Sequence, residues 1–174
     1  MKRNKKGQSG FSLIELLIVV AIILIIAAIA IPNLLRSKIA ANEASAVGSL
    51  RTIDTAEVTY SASWGVGYAA DLASLGGAPP CVAKSSSACL IDPLLSIAPY
   101  NKSGYAFAAA GTLAVNGAFQ GYEVIATPVV PGRTGQRSFC DDQVGVIKQD
   151  TTGVAFGLGD NNCGASAMPP IGNN

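Results

Sequence analysis

The chain has 174 residues, with 12 Lys and Arg against 11 Asp and Glu, four cysteines and no histidine. Without histidine, Ser-His-Asp and Cys-His catalysis and the common zinc enzymes are excluded, and a formal charge of +1 with no basic patch or stripe gives nucleic-acid binding no support. The positive mean hydropathy comes from one apolar segment and many alanines; no second run approaches membrane length.

Residues 1–10 form a short basic leader with Lys2, Arg3, Lys5 and Lys6 and no acid. A cluster of this kind beside an apolar segment stays cytoplasmic and sends the rest of the chain outward. From Phe11 to Ile31 there are 21 residues interrupted only by Ser12 and Glu15, which as a helix span about 31 Å, one bilayer core. Three fates fit such an N-terminus. Ala28-Ile29-Ala30 supplies the small-residue site of an ordinary secretory signal, but the apolar run is long for one and holds a carboxylate. An uncleaved signal anchor explains length and orientation and leaves Glu15 idle. Cleavage just before the oily run makes a subunit anchored by its own N-terminus.

Glu15 is the residue that separates these fates. A carboxylate inside a membrane helix costs roughly 2.5–3.5 kcal/mol near the centre and less near an end, so such residues are normally paired. Near the helix start Glu15 can favour the dipole and snorkel to the interface. Alternatively it meets a cation at its own depth, which a free amine on Phe11 of a neighbouring subunit would provide.

Basic leader, Gly10, Phe11, Ser12-Leu13-Ile14-Glu15-Leu16 and an unbroken apolar helix together resemble the class III signal of type IV prepilins. The resemblance is strongest over residues 7–36. It implies that Gly10 is the last leader residue, recognised by a prepilin peptidase, and that Phe11 becomes an N-methylated mature terminus. It further implies that Glu15 pairs with the Phe11 amine of an adjacent subunit during assembly and that Pro32 is the family's helix-breaking proline. By itself, Pro32 removes the hydrogen bond to the Ala28 carbonyl and bends or loosens the helix; it equally marks the membrane exit. The resemblance adds that order is lost near it when helices pack into a filament.

Cutting after Gly10 leaves 164 residues, with 8 cations against 11 acids, a net side-chain charge of −3. Residues 33–62 read as a continuation of the helix, with Ile39, Ala46, Leu50, Ile53 and Tyr60 on one face, Lys38, Arg51 and Asp54 off it, and Glu57 an exception on or near the stripe. From Phe11 to Ala62 such a helix is about 78 Å long. That is too long for a small head to bury, so lipid and then sister subunits are expected to cover half of it.

After Trp64 the texture changes: residues 65–174 hold 16 of the 19 glycines and 8 of the 9 prolines. Gly65–Pro80 reads as a loop tucking Tyr68, Leu72 and Leu75 under the helix. Residues 81–100 read as irregular, with Ser85-Ser86-Ser87 exposed and a short apolar turn at Leu94-Leu95. Strands are expected at Gly104–Ala110 and Tyr122–Val129, the latter alternating Tyr122, Val124 and Ala126 against Glu123, Ile125 and Thr127. Ser138–Lys148 reads as a hairpin that returns through Asp141–Gln143 to Val144–Lys148, a strand pair similar to that of type IVa pilin heads. The adjacent Asp141-Asp142 is expected to be solvated. From Thr151 the tail reads as polar and pinned only by Cys163.

Cys81, Cys89, Cys140 and Cys163 fall on the exported side, where disulfides persist. Three connectivities exist. The favoured one joins Cys81–Cys89 as a loop staple and Cys140–Cys163 as a tie from tail to strand, and this second bridge resembles the C-terminal disulfide loop of type IV pilins. No C-x-x-C pair suggests zinc. Asp160-Asn161-Asn162 is a weak calcium pattern, Asn101-Lys102-Ser103 a low-specificity sequon, and Gly157-Leu158-Gly159 lacks the context of a phosphate loop.

The expected protein is α+β with the pilin fold, a long N-terminal helix (membrane half plus amphipathic half) packed on a small antiparallel sheet. Its parts are a cleaved leader at 1–10, a helix at 11–64 with its transmembrane half at 11–31, and a globular head at 65–174. The resemblance implies a structural subunit of a bacterial type IV pilus, stored in the inner membrane and then assembled on the cell surface. Its partners are sister copies in a helical filament, prepilin peptidase, the inner-membrane assembly machinery and membrane lipid. The resemblance also implies that separate ATPases supply the force; no enzyme activity, cofactor or metal is expected of this chain. The rival readings are a type II secretion pseudopilin and a signal-anchored periplasmic binding module.

Overall fold

A computed structural model describes residues 11–159, 163 and 169–172. Among the described residues the named helices are α1 (Leu13–Trp64), α2 (Leu72–Leu75) and α3 (Pro93–Ser96). Five strands follow, β1 (Asn101–Lys102), β2 (Tyr105–Val115), β3 (Ala118–Pro128), β4 (Ser138–Asp142) and β5 (Lys148–Asp150). The strands form one antiparallel sheet in the order β1-β2-β3-β4-β5. The chain is α+β, as expected. It divides into two compact units, Met1–Ser37 and Lys38–Asn174, so the packing boundary lies within α1 while the composition shift at Trp64 marks only the helix end.

In the first unit α1 is helical through Pro32. Its side chains from Leu13 to Leu35 are almost all exposed, including Leu16, Leu24 and Ile29. A helix this apolar with nothing against it is stable only in lipid or against other apolar helices.

In the second unit α1 presents Ala46, Leu50, Ile53, Ala56 and Tyr60 to the core, at the i, i+3, i+4 and i+7 spacing of one helix face. Facing them are Tyr105 and Phe107 of β2, Tyr122, Val124 and Ala126 of β3 and Phe139 of β4. Each fully buried side chain of this size contributes roughly 1.5–3 kcal/mol. Leu72 and Leu75 seal the core as expected, now on α2, whose Asp71 cap accepts the Ser74 N–H at 2.8 Å.

Three strand expectations are corrected. Strands β2 and β3 are longer than the alternation suggested, because Val115 and Ala118 pair across a two-residue turn. Asn116 (φ +51°) and Gly117 (φ +83°) make that turn, the left-handed pair that matches strand twist. The return strand after β4 is β5 rather than Val144–Lys148, since Val144 and Val146 are exposed and only Ile147 enters the core. Asp141 and Asp142 are not solvated; they lie in β4, 1% and 2% exposed.

The outer sheet face is covered too. Ile125 and Cys140 pack with Cys163, Phe156 and Leu158, so the tail lies over β3 and β4. Farther on, the Gln149 N–H donates to Pro169 O and Ile171 N–H to Ile147 O, so the described end of the tail seats beside β5.

Candidate functional site

The N-terminal site begins with Phe11, 78% exposed. Ser12 O accepts from the N–H groups of Glu15 (3.1 Å) and Leu16 (3.2 Å), which opens α1. Glu15 bends back so that Oε2 accepts the Ser12 N–H at 2.9 Å, one half of a capping box. The lone acid of the apolar segment therefore sits in the first turn, close in sequence to the Phe11 end and held, among the described residues, by one backbone donor. Gly10, the leader cations and Asp160-Asn161-Asn162 lie outside the described residues. Pro32 lies inside α1, and helix continues on both sides of it.

The structure pairs Cys81 with Cys89 and Cys140 with Cys163. The first bridge closes the exposed loop carrying Lys84–Ser87, the second ties the tail to β4. The tail is held by more than Cys163. Buried Glu123 on β3 accepts the Gly159 N–H (2.9 Å) and the Cys163 N–H (2.8 Å), Lys148 Nζ donates to Cys163 O (2.7 Å), and Ser138 Oγ donates to Val154 O (2.6 Å). Strand alternation placed Glu123 on the outer face; that this face is roofed by the tail has no local sequence signal.

Buried carboxylates also join α1 to the sheet. Glu43, 6% exposed, accepts from Gln136 N–H (2.9 Å) and Arg137 N–H (3.1 Å), and from Arg137 Nε (2.9 Å) and Nη2 (2.6 Å). Burial alone would raise its pKa; the Arg137 guanidinium, the two backbone N–H groups and the Arg137 charge outweigh that and hold it below the usual glutamate range. Tyr122 OH donates to Asp54, and Glu57 Oε2 accepts the Ala69 N–H at 2.8 Å. No cluster of His, Cys, Asp or Glu suited to a metal occurs among the described residues.

Residues 5–31 match the model of the prokaryotic N-terminal methylation motif, the class III signal of type IV pilin-like proteins. No curated protein and no solved structure matches the chain. The motif implies processing by a prepilin peptidase, and the apolar helix fits a membrane-anchored precursor.

Proposed function

We propose that this chain is a structural subunit of a bacterial type IV pilus, of the type IVa major or major-like kind. The observation that carries the reading is Glu15, the one acid in the exposed apolar part of α1 from Leu13 to Leu35, in the first turn after Phe11. Cleavage after Gly10 frees the Phe11 amine, which is then methylated and remains a cation. In the membrane the isolated subunit keeps its carboxylate at the helix end, satisfied by the Ser12 N–H. In a filament the Phe11 ammonium of a neighbour takes that place, and two charges are neutralised in a medium where Coulomb attraction far exceeds its value in water. The apolar faces of the helices cover one another and form the dry core.

The second unit becomes the filament surface, exported and stapled by two disulfides. Two bridges and a long pinned tail favour a pilus subunit over a secretion pseudopilin. The role is structural.

The test separates charge pairing from helix capping. Glu15→Gln keeps an oxygen for the Ser12 N–H and removes the charge, while Glu15→Ala removes both. Under the filament reading both variants are cleaved normally, accumulate in the membrane and yield at most about a tenth of the sheared filaments, since even 1.4 kcal/mol per contact is tenfold. Wild-type filament yield from Glu15→Ala would leave the helix as a plain tether.

A further inference from the structure

A second group of acids lies where α1 meets the sheet, within the second unit. Asp54 and Glu57 are one turn apart on α1, and Asp141 is on β4. Asp54 accepts from Tyr122 OH of β3. Glu57 is 0% exposed; its Oε2 holds the Ala69 N–H, and its Oε1 has no hydrogen-bond partner among the described residues. Asp141, 1% exposed, accepts only the N–H of its neighbour Asp142, at 3.0 Å, among the bonds seen. Asp54 and Asp141 line one cavity of about 240 Å³ with Arg51, Val146 and Pro170.

The groups facing this cluster are mostly of one sign. Glu57 meets Asp54 and Tyr60 from its own helix, Asp71 from the cap of α2 and Tyr122 from β3. Asp141 meets Asp54 and Arg51 from α1, Asp142 from its own strand and Tyr122 from β3. Of these only Arg51 is a cation, and it is exposed. Asp141 on the wall of that cavity and Glu57 outside it are each buried, each meets half-buried Asp54, and each has too few donors to ionise cheaply. A protonated Glu57 or Asp141, by contrast, is a neutral donor that such a core tolerates.

We infer that the buried carboxyls of Glu57 and Asp141, each facing Asp54, form a proton-held joint between α1 and β4: kept neutral they hold it closed, and their ionisation loosens the β4–β5 connection from the helix. Burial foremost, then the charges of Asp54 and Asp71, pushes Glu57 up to about 7 against the lowering effect of the Ala69 N–H. Burial foremost, then Asp54 and Asp142, pushes Asp141 up to about 7 against the Asp142 N–H and Arg51. The folded state thus binds these protons more tightly than the unfolded chain. The stabilisation is complete below the ordinary carboxylate range and is lost as pH rises toward and through 7. An exported head would be firmest in mildly acidic surroundings, whatever the filament does.

The test is thermal melting of the full chain in detergent micelles. Wild-type Tm should fall by about 10 °C between about pH 5 and about pH 8. Glu57→Gln with Asp141→Asn, which mimic the neutral acids, should remove at least half of that fall. A flat or rising wild-type profile overturns the joint, as does an undiminished fall in the double variant. Should the variant not fold, the infrared carbonyl band of protonated carboxyl in wild type decides. Its presence near neutral pH and loss above about pH 8 supports the joint, and its absence at neutral pH refutes it.

Discussion

Replacing Glu43 by alanine tests how the long helix is fastened to its sheet. The wild-type carboxylate is 6% exposed and takes four donors from Gln136 and Arg137. Arg137 in turn donates from Nη1 to Gln149 Oε1 at 2.7 Å, lies over the Phe139 ring at 5.5 Å from its centroid, and its carbonyl accepts from Tyr105 OH at 2.7 Å. One acid of α1 therefore organises the starts of β2 and β4 and the middle of β5. Glu43→Ala leaves two backbone N–H groups without acceptor and a guanidinium without counter-charge. A fully buried pair would cost about 3–5 kcal/mol when broken. The Arg137 side chain is 37% exposed and recovers water, so the low end, about 3 kcal/mol, applies. For a chain of this size that lowers Tm by about 6–12 °C. Circular dichroism melting of the full chain in micelles measures it, with Glu43→Gln expected to lose about half as much. A loss under about 1 kcal/mol would refute the reasoning. The pH dependence has the opposite sign to the joint. The Glu43 pKa is depressed on folding, so its stabilisation is present above the ordinary glutamate value and lost as pH falls through its folded value. Glu43→Ala should flatten the acid limb of the stability profile and leave the alkaline limb unchanged.

Replacing Cys140 and Cys163 together by serine removes a cross-link across 23 residues, worth about 3 kcal/mol in the chain-entropy picture. Limited proteolysis should cut the tail about a hundredfold faster in the double variant, and about tenfold faster again when Glu123→Ala removes the acceptor that still holds the backbone at 159 and 163; equal rates in the two would deny Glu123 its part. Gly67 and Gly117 share a φ of +83°, yet only at Gly67 would a Cβ run into backbone, that of Phe119. Gly117→Ala should therefore cost about 1 kcal/mol and Gly67→Ala clearly more, measured as ΔTm; equal losses would refute the close approach.

The sequence carried the helix legibly, because an apolar stripe at helical spacing has one meaning wherever a helix touches a core: Ala46, Leu50, Ile53 and Tyr60 are buried as that stripe requires. It carried the inner face of β3 for the same reason, through Tyr122, Val124 and Ala126. The Asn116-Gly117 pair is a hairpin signal, but it lies in an alanine-rich stretch where alternation is faint, and the sequence reading missed it. The acids were the part that local pattern could not decide. Asp141-Asp142 looks like a wet turn until β3 and β4 pair Val124 with Asp141 and Glu123 with Asp142. Glu43 looks like a surface residue until Arg137, 94 positions away, reaches it. At the N-terminus, Glu15 stood out because its surroundings are uniformly oily; the capping bond to Ser12 shows how the isolated helix tolerates it.

The filament reading is tested most directly by the intact mass and N-terminal residue of the protein recovered from sheared cell surfaces. It requires a chain beginning at N-methylated Phe11 and lacking residues 1–10. An N-terminus at Ile31, the product of ordinary secretion, or an uncut Met1 retained in membranes would contradict it.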